Sequence, residues 1–455
     1  MSHVEELRAT LDASSVVTDP DVFEAFRHDQ STWAEPGMPS VLVRPRTTDE
    51  VVRIVRAANR YRVPIVPRGA GSGLSGGATA IEGCIVLSLD RMDAVLDVAP
   101  DDLVAVVQPG VLNGTLKATV AEEGLWYPPD PASAAFSSLG GNIATNAGGL
   151  CCLKYGTTRH WVLGLEAVLG DGRVVRTGGR TVKSVAGYDL TGLLVGSEGT
   201  LGVVTEATLR LAPAPPPRAT LVAVFPTLAQ AGAAVVAVVR RVVPSMLEIM
   251  DRTTVRAVDD WKRMELDRDA AALVLAQSDA PTPDARRREL DAVAELCRDH
   301  GALYEVATDD PDEGEQLLMA RRLAYPALER LGATVLDDVS VPRSAVASLV
   351  SACEQVADEH GVIVATFGHA GDGNLHPTIV YDRNDAGSCQ RARTAFEAVV
   401  NAAVSLGGTV TGEHGVGSLK HSLLPLEIDP VRTAVHQDLK RALDPNGILN
   451  PGRAV

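Results

Sequence analysis

Pro67-Arg-Gly-Ala-Gly-Ser-Gly-Leu-Ser-Gly-Gly77 puts five glycines into eleven positions, directly after the apolar run Pro64-Ile-Val-Pro67. Within it, Gly71-x-Gly73-x-x-Gly76 has the spacing of a dinucleotide-binding turn. That turn works by opening a helix whose N-terminus carries the pyrophosphate. Here Ala78-Thr-Ala-Ile-Glu-Gly-Cys84 and then the apolar strand Ile85–Leu89 follow, so no helix fits and a doubly wound nucleotide fold is not expected. The backbone chemistry survives without the helix. Closely spaced glycines let neighbouring N–H groups converge on an anion as a nest. The stretch therefore predicts an anion-cradling loop in an α+β fold.

Two more glycine clusters lie downstream: Ser138-Leu-Gly-Gly-Asn-Ile-Ala-Thr-Asn-Ala-Gly-Gly149 and Gly196-Ser-Glu-Gly-Thr-Leu-Gly-Val203. The first mixes glycine with short hydrogen-bonding side chains, Ser138, Asn142, Thr145 and Asn146, suited to a polar heterocycle. The second offers a backbone edge beside Glu198. A single nest implies only a phosphate. Three clusters within about 135 residues imply an extended ligand, with a diphosphate in the middle and polar rings at the ends.

Outward from the loops, Thr47 to Glu50 reads as a capping box opening a helix with Val51, Val52, Ile54, Val55 and Ala58 on one face. Asn113 is expected to cap a helix that ends at Gly124. Gly170-Asp-Gly172 marks a hairpin turn. Ala212-Pro-Ala-Pro-Pro-Pro-Arg218 is a proline-rich linker and the strongest boundary. Beyond it, strands near Leu221–Phe225, Ala272–Gln277, Ala302–Ala307, Val335–Val341, Val362–Phe367 and Leu375–Val380 alternate with single helices. That rhythm predicts an antiparallel sheet with helices on one face. The domains are thus 1–217, a substrate domain at 218–420, and a segment 421–455 that returns to the first domain, with the ligand at the seam.

Composition narrows the function. The chain has 455 residues, 45% hydrophobic and 22% charged, which is ordinary for globular proteins. Lys+Arg is 42 against 58 for Asp+Glu, a net charge of −16 that repels nucleic acid. No apolar run reaches the ~18 residues of a membrane span, and no signal pattern opens the chain, so a soluble cytoplasmic protein is expected. The six cysteines form no Cys-x-x-Cys pair, which argues against iron–sulfur and zinc-ribbon sites. Cys151 and Cys152 read as small buried hydrophobes.

A second constellation is Phe367-Gly-His-Ala-Gly-Asp-Gly-Asn-Leu-His376, two histidines seven apart around a glycine-rich bend. Asn374 and His376 are i, i+2 on a strand and share a face. Farther on, Thr409-Val-Thr-Gly-Glu-His-Gly-Val-Gly417 sets Glu413 beside His414. Two imidazoles and a carboxylate suit a facial site for Zn²⁺, Mn²⁺ or Fe²⁺. On spacing alone, polar residues satisfied near a turn fit equally.

Together, the 67–77 stretch, Pro129-Asp-Pro131, Gly140-Gly-Asn142, Asn146-Ala-Gly-Gly149, Gly196–Gly202 and Leu449-Asn-Pro-Gly452 resemble the FAD-binding oxidoreductases of the vanillyl-alcohol oxidase superfamily. The nearest branch is the D-2-hydroxyacid dehydrogenases: glycolate oxidase catalytic subunit, D-lactate dehydrogenase and D-2-hydroxyglutarate dehydrogenase. The resemblance covers about residues 38 to 453. It implies a PCMH-type FAD domain joined to a ferredoxin-like antiparallel-sheet substrate domain. Pro67, Arg68, Gly69, Ala70, Gly71, Ser72, Gly73, Leu74 and Ser75 would cradle the pyrophosphate. Pro129, Asp130, Ser138, Gly141, Asn142, Thr145, Asn146, Gly148, Gly149, Tyr155 and Gly156 would line the rest of the cofactor. So would Glu198, Gly199, Gly202, Val203 and Asn450. Ser72 stands where covalent members carry a His, so the FAD is expected to be non-covalent.

The same resemblance implies His369, His376 and Glu413 as metal ligands, Zn²⁺ first with Mn²⁺ or Fe²⁺ as alternatives. It makes His414 the base as hydride passes from substrate C2 to flavin N5, a step that a divalent cation assists by stabilising alkoxide-like charge. Asn374 joins His414 as a catalytic candidate. Leu318-Met-Ala-Arg-Arg322 resembles the family's arginine segment, with Arg321 the guanidinium for the substrate carboxylate. Where D-2-hydroxyglutarate dehydrogenases carry a Lys for a distal carboxylate, Leu336 stands. That departure favours a monocarboxylic or apolar-tailed acid, although Lys420 or Arg343 are alternative cations. Trp261 and Tyr325 are read as core. The expected partners are a small 2-hydroxy acid and a separate acceptor: a flavoprotein, quinone, cytochrome, iron–sulfur subunit or O₂. A homodimer is the base-rate expectation. Two other readings stand beside this one. One is a same-fold flavoenzyme of aryl-alcohol oxidase or alkyl-glycerone-phosphate synthase type. The other is a non-catalytic electron-relay subunit.

Overall fold

The computed structural model describes residues 2–454. The chain divides into two compact units. The first holds the residues up to Gly149, Gly156–Ala214 and Glu413 onward; the second holds Leu150–Tyr155 and Pro215–Gly412.

In the first unit, the parallel strands Val41–Val43, Ile85–Ser88 and Ile65–Arg68 lie side by side, with Val16–Val17 antiparallel at the edge. The helix Thr48–Tyr61 supplies the crossover and buries the predicted face, Val51, Val52, Ile54, Val55 and Ala58. Each such Val or Ile is worth about 1.5–3 kcal/mol when fully buried. Ile65–Arg68 ends directly at the glycine-rich loop, and no helix follows that loop. A second sheet in this unit is antiparallel, in the order Val95–Ala99, Val104–Val107, Val203–Arg210, Val162–Val168, Val174–Gly178. Its last two strands form the predicted hairpin, with Gly172 at φ +82° in the turn.

Two helix starts differ from expectation. Thr47 caps its helix by accepting from the Glu50 amide, but the Glu50 carboxylate takes the Arg46 amide, so only half the box forms. Asn113 does not cap; Leu112 holds that position, and the Asn113 amide group reaches Pro129 O and Asn142 Oδ1 instead.

The second unit is built on an antiparallel sheet. Its order is Tyr304–Thr308, Ala219–Phe225, Ala272–Ser278, Met246–Asp251, Ile363–His369, Asn374–Tyr381, Ala333–Leu336, with Val339–Ser340 pairing the far end of Asn374–Tyr381. Helices cover both faces, not one. Every residue of Ala272–Ser278 and Met246–Asp251 is buried, which requires cover on each side. One face packs Met246, Met250, Leu273, Leu275, Ala365 and Phe367 against helices Arg252–Lys262, Pro311–Arg322 and Ala324–Glu329. The predicted strand Val335–Val341 is broken in two by the buried pair Asp337-Asp338.

The chain passes from the first unit to the second between Ala214 and Pro215 and returns to the first at Glu413. Leu150–Tyr155 joins the second unit because its side chains are tied there. Arg218 Nη2 donates to Cys151 Sγ at 3.1 Å, Tyr155 Oη donates to Asp279 Oδ2 at 2.5 Å, and Lys154 pairs with Asp279. Among the described residues no cysteine forms a disulfide.

Candidate active site

The first unit contains the anion cradle. No hydrogen bond among the described residues uses the backbone N–H of Gly71, Ser72, Gly73, Leu74 or Ser75, although Gly71 and Ser75 are buried. Buried amides are almost always paired, so this run, with two of its five residues buried, could hold an anion such as a diphosphate. Gly71 has φ +73°, and a Cβ there would meet the Arg68 guanidinium at 2.1 Å. Ser138 braces the loop from below, its Oγ accepting from the Ala70 and Gly141 amides at 3.3 Å each. Arg68 donates to the carbonyls of His28 and Ala25.

Most of the predicted polar side chains hold the loops together. Asn142 bonds Asn113 and Ser137; Asn146 Oδ1 accepts from Thr157 Oγ1 at 3.0 Å and the Arg159 amide at 2.9 Å; Thr145 Oγ1 donates to Gly141 O. Asn450 Nδ2 donates to Gly77 O at 2.9 Å and Glu198 O at 2.7 Å. Gly149, at φ +146°, lies against the Asp130 carbonyl, and Gly199 lies against Pro67. Gly148 is buried beside Gly149, Gly156 closes on the His160 ring, and Gly202 leads into the strand that starts at Val203. Tyr155 lies in the second unit.

Glu198 ties the returning chain to this frame. Its oxygens accept from the Val416 amide at 2.7 Å and the Gly417 amide at 2.8 Å, and burial pushes its carboxyl pKa up. Ser75 Oγ donates to the His414 carbonyl at 3.0 Å. His414 is therefore fixed to the end of the glycine loop, with Glu413 Oε1 3.9 Å from its Nε2.

The histidine pair belongs to the second unit. His369 ends one strand and His376 lies in the next, with Gly368 opposite Leu375 and Phe367 opposite His376. The bend needs its glycines: a Cβ on Gly373, at φ +92°, would lie 2.1 Å from Val341 O. The two Nε2 atoms are 3.3 Å apart, with the rings at 88°. Two nitrogens bound to one tetrahedral Zn²⁺ at 2.0–2.1 Å also lie roughly 3.3 Å apart, so the pair fits a shared cation.

Two buried carboxylates stand behind this pair. Glu248 Oε1 is 2.7 Å from His369 Nδ1, and its Oε2 accepts from Arg321 Nε at 2.7 Å. Burial alone would push the Glu248 pKa up, but the His369 and Arg321 charges and hydrogen bonds overcome it and hold the group at about 2. The Arg321 guanidinium also lies 4.7 Å over the Phe367 ring. Asp338 Oδ1 accepts from Asn374 Nδ2 at 2.7 Å and lies 3.8 Å from His376 Nδ1. Its Oδ2 accepts from Thr411 Oγ1 at 2.7 Å and the Gly412 amide at 2.8 Å. Gly412 is thereby pinned one residue before Glu413.

Glu248 and Asp338 escaped the sequence reading. The available signal was an acid inside an apolar strand, Met246-Leu-Glu-Ile-Met250, since a buried charge needs a partner. Leu336 ends its strand half-buried; Trp261 and Tyr325 pack against the core cluster of the second unit, as read.

A family profile described as "FAD linked oxidases, C-terminal domain" matches residues 214–454, and one described as "FAD binding domain" matches 39–178. The glycolate oxidase subunit GlcD of Bacillus subtilis (strain 168) is 42% identical over 418 residues, 91% of this chain and 89% of that protein. The D-lactate dehydrogenase of Archaeoglobus fulgidus is 38% identical over 423 residues, 91% of each. Among solved structures, p-cresol methylhydroxylase with substrate bound matches at TM-score 0.83 and 19% identity, over 99% of this chain and 96% of that one. The 4-ethylphenol oxidase of Gulosibacter chungangensis matches at TM-score 0.80 and 22% identity, with the same coverage. These two likenesses establish the PCMH-type α+β fold. No helix among the described residues is long and apolar enough to cross a membrane.

Proposed function

The chain belongs to the FAD-linked oxidases and is an oxidoreductase of that family, and from this premise we propose that it oxidises a D-2-hydroxy acid to the 2-oxo acid with FAD and a divalent cation. The 3.3 Å Nε2–Nε2 approach of His369 and His376 carries the reading. It is the donor arrangement that a cation-assisted hydroxyacid dehydrogenase requires. FAD, when bound, supplies the hydride acceptor, and the amides of 71–75 with the 128–149 and 196–203 loops would hold it without a covalent bond. A cation, when bound, supplies charge against the developing alkoxide. His369, His376 and Glu413 would be its ligands, Zn²⁺ first and Mn²⁺ or Fe²⁺ next.

His414 would take the substrate hydroxyl proton as general base. Arg321 would receive the substrate carboxylate. Asn374, its Nδ2 taken up by Asp338 and Val339, keeps Oδ1 for the substrate hydroxyl. Leu336 in place of a cation supports a monocarboxylic acid, and similarity to the glycolate oxidase subunit and the D-lactate dehydrogenase supports the same class. Electrons then pass to a separate acceptor. The test is anaerobic mixing of the purified flavoprotein with D-lactate, glycolate and L-lactate. Loss of the flavin absorbance with D-lactate or glycolate, and not with L-lactate, is expected. An oxidised spectrum with all of a wider hydroxyacid panel would refute the substrate class.

A further inference from the structure

We infer that Glu248 is a positioning residue that fixes a metal-ligand imidazole and the substrate-carboxylate guanidinium at one set spacing, and so selects for acids whose hydroxyl is on C2. The inference rests on the function proposed above and adds a residue that it does not use.

An ionised carboxylate only accepts hydrogen bonds. Glu248 is fully buried, and its two oxygens meet His369 Nδ1 and the permanently charged Arg321 guanidinium at 2.7 Å each. Already paired with that cation through Oε2, the carboxylate presents Oε1 at 2.7 Å as an acceptor for the His369 Nδ1 proton. The lone pair of that ring is then on Nε2, the atom that faces His376. Carboxylate backing of this kind fixes the tautomer and orientation of metal-ligating histidines.

The same carboxylate holds Arg321 by its Nε edge. Phe367 stacks on the guanidinium plane and limits its rotation. No hydrogen bond among the described residues uses Arg321 Nη1 or Nη2, so the outer side of the fork is left for an external carboxylate. One rigid group, the Glu248 carboxylate, thus sets both anchors. A 2-hydroxy acid presents hydroxyl and carboxylate on neighbouring carbons. A 3-hydroxy acid adds a methylene between them, and a fixed spacing discriminates against it.

Glu248→Gln tests this. The amide has one acceptor oxygen for two donors, so His369 and Arg321 cannot both be served. Expected results are metal affinity weakened about 10- to 100-fold, KM for the D-2-hydroxy acid raised at least tenfold, and a smaller preference for 2- over 3-hydroxy acids. FAD content and melting of the FAD-loaded protein serve as folding controls. Arg321→Met should raise KM alone and leave Zn²⁺ affinity at the wild-type value. Should Glu248→Gln fail to fold, the double variant Glu248→Gln/Arg321→Met removes the stranded cation and is compared with Arg321→Met. Weaker Zn²⁺ binding by the double variant supports the inference. Unchanged Zn²⁺ affinity in a folded Glu248→Gln or double variant overturns it. A wild-type protein that binds no metal and reduces no FAD with hydroxy acids refutes instead the function on which the inference rests.

Discussion

His369 and His376 turn their Nε2 atoms toward each other at 3.3 Å. Glu248 Oε1 stands 2.7 Å from Nδ1 of the His369 ring, so Nε2 is the nitrogen left to meet a cation. The glycines of the 370–373 bend hold that approach in place. His376→Ala is therefore expected to lose the bound metal and at least about 10²-fold of kcat while keeping its FAD. Elemental analysis beside the flavin absorbance of the same sample checks this. Full metal content in the variant would contradict it.

Asp338 has no oxygen to give up. Asparagine at this position turns one acceptor into a donor, facing either Asn374 Nδ2 or the Thr411-Gly412 turn. Asp338→Asn should cost about 1–3 kcal/mol of stability. It should also lower kcat with little change in FAD content. Thermal melting and steady-state kinetics on one preparation measure both.

Gly149 reads out the cofactor loops. An added Cβ would fall 2.3 Å from the Asp130 carbonyl at a φ of +146°. Gly149→Ala should strain that contact by about 1–3 kcal/mol and reduce the FAD retained through gel filtration. Retention equal to wild type would show that the 128–149 loops do not hold FAD.

Asp251 gives stability a pH signature. It is fully buried, and desolvation raises its pKa from 3.8 to about 6 against the hydrogen bonds from Thr254 and Thr366. Between those values the folded chain holds a proton that the unfolded chain has released. The contribution is thus fully present below 3.8 and is lost as pH rises through about 6, worth about 3 kcal/mol at most. Asp251→Ser retains a helix cap without the ionisation. Its melting temperature should fall less than that of wild type between pH 4 and 7. Parallel melting profiles would contradict this assignment.

The sequence was most legible where glycine encodes backbone shape. The 67–77 loop without a following helix, the Gly170-Asp-Gly172 turn and the 368–373 bend were all readable, because only glycine tolerates those angles. It was least legible where partners are remote. Glu248 meets Arg321 across 73 residues and His369 across 121, so an acid inside an apolar strand says that a partner is needed but not which one. Asp337-Asp338 interrupts what hydrophobicity alone reads as one strand. The second face of the large sheet was hidden for a related reason: Ala272–Ser278 carries no polar alternation to say which side is covered. Asn142, Asn146 and Glu198 are expected cofactor residues, but a residue type cannot tell a ligand contact from a brace, and in the fold their side chains hydrogen-bond neighbouring loops.

The central claim is that a cation on the histidine pair enables hydroxyacid oxidation. Its most direct test is to mix the flavoprotein anaerobically with D-lactate and with glycolate, before and after chelation, and then to restore Zn²⁺ or Mn²⁺. The account predicts rapid bleaching of the flavin band, at least about 10²-fold slower after chelation and recovered with metal while FAD stays bound. Bleaching at an undiminished rate in protein shown to be metal-free would contradict it.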